Sequence, residues 1–138
     1  MTREEVLKIT CGNEAAADFV CAYIAHCHMV DDCVDKDTDL NDERIASEHL
    51  AFFEQFLFNS WARERQGALW PLVVVGYNAW LDANKWEQSS NGEKVRDAAV
   101  VKGVYHELVW FVAYLCGGIK HMRNITMEFR EYDHGGAR

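Results

Sequence analysis

The stretch that could do chemistry runs His26-Cys27-His28-Met29-Val30-Asp31-Asp32-Cys33-Val34-Asp35-Lys36-Asp37-Thr38-Asp39. It packs five carboxylates into nine residues. On a helix, Asp31 and Asp35 stack at i and i+4, His28 lies one turn before Asp31, and Asp32 sits about 100° around. Carboxylates at the end of a helix face the negative pole of its dipole, at a cost of roughly 0.3–1 kcal/mol each. Like charges four apart add a few tenths more. The arrangement therefore calls for something positive: solvent and salt, an Arg or Lys from another helix, or a divalent metal. Hard oxygen ligands in this number suit Mg²⁺, or Mn²⁺ or Ca²⁺. Asp31, Asp32 and Asp35 are the candidate metal ligands. The plain alternative is a solvated acidic helix end that also caps the next helix. An EF-hand-type loop has its 1-3-5 positions in Asp35, Asp37 and Asp39, but Leu40 stands where Gly is needed and Ala46 where the bidentate Glu is needed.

Val30-Asp31-Asp32-Cys33-Val34-Asp35 resembles the first aspartate-rich motif, D-D-x-x-D, of class I isoprenyl diphosphate and terpenoid synthases. That resemblance covers about 15 residues and implies an all-helical fold. It also implies that Asp31, Asp32 and Asp35 bind the Mg²⁺ ions that hold a substrate diphosphate. The chain is about half the length of such enzymes, and has no second D-D-x-x-D and no clean N-x-x-x-S-x-x-x-E motif. In physical logic it is also similar to the all-α nucleotide pyrophosphohydrolases, short helical bundles with acidic Mg²⁺ motifs; Glu107 would then supply a fourth carboxylate. The chemistry so implied is metal-assisted attack of water on a diphosphate. His28, Glu107 and Lys102 are the substrate-side candidates, with Lys94, Lys120 and Arg123 as further phosphate partners. The first reading of each of these cations is an ordinary surface charge on the outer face of its helix.

Other constellations are thinner. Arg44 and His49 have the R-x4-H spacing that small helical ribonucleases use, and otherwise read as a solvated pair. Zinc at His26, Cys27 and His28 is disfavoured, because helix neighbours diverge by about 100°. Glu131 and His134 show the only E-x-x-H. There is no nucleophile elbow and no Gly-rich phosphate loop.

The elements that must hold these residues read as helices. The chain has 138 residues, 49% hydrophobic and 26% charged, with one proline, Pro71. That is a single helical domain over 1–138, with a frayed tail from about 131. The first helix should start at Asn13 and run to about Asp32–Asp35, with Phe19, Tyr23, Cys27, Val30 and Val34 inward. Asp39 or Asn41 caps the second, which carries Ala46, Leu50, Phe53, Leu57 and Trp61 as its apolar stripe and ends near Gln66-Gly67. A third, from about Leu69 past Leu81, is apolar enough to be buried on most sides. Ser90 and Glu93 have capping-box spacing before the last helix. There Val101, Tyr105, Leu108, Val112, Leu115, Ile119 and Met122 form a heptad seam that Gly117-Gly118 interrupts. The expected architecture is all-α, an antiparallel bundle of four main helices.

The net charge of −8 disfavours duplex nucleic acid as a partner. The N-terminus has no continuous apolar segment, and the stretch Ala68–Leu81, about 14 residues, is short of the roughly 20 needed for a bilayer. The expectation is a cytoplasmic protein with no membrane partner and reduced thiols at Cys11, Cys21, Cys27, Cys33 and Cys116. Five Trp, five Tyr and seven Phe exceed what a small bundle needs. That surplus favours a homo-oligomer or a protein partner. Two functions of different class follow. One is Mg²⁺-dependent binding or hydrolysis of a small diphosphate-bearing ligand. The other is a non-enzymatic acidic helical interaction module.

Overall fold

A computed structural model describes residues 1–35 and 39–134, with side chains through 130. The described residues are all-α, with no strand among them. In chain order the helices are α1 (Arg3–Ile9), α2 (Glu14–Asp35), α3 (Asp42–Phe58), α4 (Ser60–Arg63), α5 (Gln66–Glu87), α6 (Gly92–Lys102), a 3₁₀ turn (Gly103–His106) and α7 (Glu107–His134). Within the span read as one domain they group into two compact units, Met1–Gln66 and Gly67–Arg138.

In the first unit, α1 is a short helix that the apolar periodicity did not announce. Its signal is the capping box Thr2-x-x-Glu5: Glu5 N–H donates to Thr2 Oγ1, and Thr2 N–H donates to Glu5 Oε2. It buries Val6 and Ile9. It ends in a Schellman motif, with Gly12 N–H on the Leu7 carbonyl and Cys11 N–H on that of Lys8; Cys11 takes the left-handed position at φ 53°. Asn13 then caps α2 as expected, its Oδ1 accepting from Ala16 N–H at 3.0 Å. Asn41 caps α3 through Arg44 N–H at 2.8 Å.

Helices α2 and α3 form an antiparallel hairpin. Phe19 meets Phe56, Tyr23 meets Phe52, His26 meets His49 and Asp32 meets Arg44, so the numbers of facing residues add to 75 or 76. The seam on α3 is therefore Ile45, His49, Phe52 and Phe56. This corrects the expected stripe: Leu50, Phe53 and Leu57 point to solvent, and Trp61 belongs to α4. Helix α3 is apolar on two faces, and a histidine in the true seam made the other face look the more apolar. The α3–α4 break is made by Asn59. Its Oδ1 caps Trp61 and Ala62 N–H, while its Nδ2 donates to the Ala15 carbonyl (2.8 Å) and Gln55 Oε1 (2.7 Å). The turn is thus tied to the start of α2, and Trp61 swings under Phe19.

In the second unit, α5 buries Leu69, Val73, Gly76 and Ala83 but exposes Trp70, Val74, Val75 and Leu81. It is not buried on most sides. Asn91, rather than Ser90, caps α6, through Glu93 and Lys94 N–H. Glu87 pairs with Lys102 at 3.0 Å. Helix α7 is one helix in name only. Gly118 takes φ 84°, ψ 178°, a conformation essentially confined to glycine. Arg130 then reaches Glu107 at 2.6 Å. Twenty-three residues of straight helix would hold them about 35 Å apart, so α7 is a hairpin. The turn also resets the helix phase: Ile119 of the expected seam is exposed, and Ile125 and Phe129 are buried instead. Gly118→Ala will cost this unit about 1–3 kcal/mol, read as a lower urea midpoint, whereas Gly117→Ala, at a helical position, will lower it little or not at all.

By length and composition alone one helical span, Gly92–Arg130, could cross a membrane, its most apolar window having a mean hydropathy of 1.3. A third of that window is buried, and the span carries the Lys102 and Glu107 ion pairs.

Candidate functional site

The carboxylates stand on the last described turns of α2, across from the first turn of α3. Asp31 and Asp32 are half-buried on the last turns of α2, and Asp35 and His28 are exposed. Asp32 Oδ2 receives Arg44 Nη2 at 2.8 Å, both side chains 28% exposed. Arg44 lies in the first turn of α3, held by the Asn41 cap, so the positive end of α3 meets the negative end of α2 here. For Asp32, the positive partner that the sequence demanded is an arginine from the next helix. A pair this accessible contributes about 1 kcal/mol or less. Among the described residues, no three or more His, Cys, Asp or Glu side chains are grouped so as to hold a metal ion. Lys36, Asp37 and Thr38 lie outside the described residues, and with them the middle of the EF-hand-type spacing.

Lys102 and Glu107 belong to the second unit, where they pair with Glu87 and Arg130. Lys94 lies over the Trp86 ring at 5.9 Å, and Lys120 and Arg123 are exposed. The side chains of Glu131 and His134 lie outside those described. Arg44 and His49 do not act as a pair, since one turns to Asp32 and the other to His26.

One turn deeper, His26 Nε2 and His49 Nδ1 are 3.0 Å apart, one ring donating to the other. Phe52 stacks on His26 at 4.7 Å, and Phe53 stacks on His49 at 6.0 Å. Burial, and secondarily the charge of His49, lowers the His26 pKa to about 4. The neighbouring Cys27 thiol is pushed up to about 12 by burial, against a hydrogen bond with Tyr23. It is no ready metal thiolate. Sequence reasoning missed the histidine pair because it matched His49 with Arg44 along one helix; only the hairpin register shows the partner across the seam.

The other feature that the sequence misassigned is the outer face of α3. Leu50, Phe53, Leu57 and Phe58 are 66, 52, 46 and 73% exposed. Together they present on the order of 400 Å² of apolar surface, in the range of the largest, often functional, patches on soluble monomers. Asp42 and Glu43 close the N-terminal end of this face, and Glu54 lies between Leu50 and Phe58; all three are exposed. No known family model, curated protein or solved structure matches the chain.

Proposed function

We propose that this protein is a helical interaction module that binds a helix of another protein along the outer face of α3. The observation that carries this reading is the exposed stripe Leu50, Phe53 and Leu57, with Phe58 beside it, on a helix whose opposite face is already satisfied by α2. Spacings of 3 and 4 are those by which an amphipathic partner helix is read in a groove. The test is titration of the full chain with synthetic 18-residue amphipathic helices that share a leucine face and differ in polar face. At least one should bind, and Leu50→Asp/Leu57→Asp should remove the binding without lowering the melting temperature. If no peptide binds, the reading falls.

The second reading, Mg²⁺-dependent binding or hydrolysis of a diphosphate-bearing ligand by Asp31, Asp32 and Asp35, rests on the D-D-x-x-D spacing. Its electrostatic motive is weakened by Arg44, which already neutralises Asp32. It predicts a melting shift: an ion at a hundred times its dissociation constant stabilises by about 2.7 kcal/mol. With Arg44 in place, we expect Mg²⁺, Mn²⁺ and Ca²⁺ to shift the melt no more than an ionic-strength control does. A shift that Asp31→Asn/Asp35→Asn abolishes would restore the metal site. An antiparallel bundle of about four main helices and a cytoplasmic setting are likewise proposals.

A further inference from the structure

We infer that the helix that docks on α3 is basic, with lysine or arginine flanking an apolar stripe; this rests on the interaction reading above. Three observations converge. The charged side chains that α3 itself sets beside the apolar face are carboxylates: Asp42 and Glu43 at its N-terminal end and Glu54 along the side, each exposed and none in an ion pair within the described residues, while the exposed Arg63 of α4 follows the C-terminal end. The one arginine on α3, Arg44, is turned to the other side and engaged by Asp32. And the charge of the chain is not shared evenly. Met1–Gln66 holds fourteen acidic residues against six basic, whereas Gly67–Arg138 holds eight of each, so the whole net charge of −8 belongs to the unit that carries α3.

A field of one sign around an apolar contact selects the opposite sign. It speeds encounter with a cationic partner and makes a like-charged one costly to seat. A second copy of this chain would bring the same carboxylates against themselves, which disfavours self-association through this face. Lysine and arginine stems also cover apolar surface while their heads reach the rim, which suits Glu43 and Glu54 as their receivers.

The test compares two 18-residue peptides with identical leucine faces, one with lysine and one with glutamate on the polar face, and a third with lysine but serine in place of leucine. Binding is followed by fluorescence anisotropy at 50 and 200 mM salt, with backbone amide shifts locating the site. The Leu/Lys peptide should bind at least tenfold more tightly than the Leu/Glu peptide. It should weaken several-fold at the higher salt and perturb residues 46–58. The Ser/Lys peptide should not saturate. Glu43→Lys/Glu54→Lys should reverse the preference. Equal binding of both leucine peptides on α3 would overturn the basic partner and leave the interaction module standing. Binding of neither would sink both. Tight Ser/Lys binding would reduce the effect to bulk charge and overturn the inference. So would a concentration-dependent dimer that Leu57→Asp dissolves, since a second copy would then be the occupant. A soluble paramagnetic probe should broaden the Leu50 and Leu57 methyl signals of the free protein; their protection would show the face already covered and equally overturn it.

Discussion

Phe52→Ala will cost the Met1–Gln66 unit about 3–5 kcal/mol, and Phe53→Ala, one residue on, less than about 1 kcal/mol. The contrast follows from the hairpin register. Phe52 is 4% exposed and its ring meets those of Phe19, Tyr23, His26 and Phe56. Removing it opens a cavity among rings that cannot collapse into it. Phe53 has the solvent on one side and His49 on the other. Urea midpoints of the two variants measure the difference directly. Similar losses would mean that the outer face of α3 is part of a core, and the docking surface would vanish with it.

Stability will fall with acid through a window that His26 sets. In the unfolded chain an ordinary histidine titrates near 6.5, while in the folded protein burial and His49 hold His26 down to about 4. As the pH drops, the unfolded chain takes up the proton first. The contribution of neutral His26 is complete above about pH 6.5, is lost progressively between about 6.5 and 4, and is gone below. Its full size is on the order of 3 kcal/mol. His26→Phe keeps a ring against Phe52 and removes the titration. The measurement is the difference in unfolding free energy between wild type and variant at pH 7.5 and pH 4.5. A difference that does not change with pH would show that His26 is charged or solvated in the folded state.

The caps and the charge cluster were legible in the sequence because they are local. Asn13 opens α2 and Asn41 opens α3, and the last described turns of α2 carry the carboxylates. The need for a cation near Asp32 was legible too, and an arginine from another helix was among the candidates. What was not legible depends on residues far apart in the chain. The phase of α3 is decided by which of its two apolar faces meets Phe19 and Tyr23, and periodicity weighs both alike. The end of α3 is set by Asn59 reaching back to Ala15, a bond over 44 positions. The last heptad seam continues on paper past Gly118, where the backbone abandons helical angles and the count of threes and fours restarts.

The fold-back at Gly118 changes what the second arm of α7 does. Phe129 is buried, and Arg130 both pairs with Glu107 and lies 5.9 Å over the ring of Trp110. The closing arm is thus a clasp on the opening one. Loosening of that arm would be felt some twenty positions upstream, where Glu107 and Trp110 would lose the guanidinium that holds them.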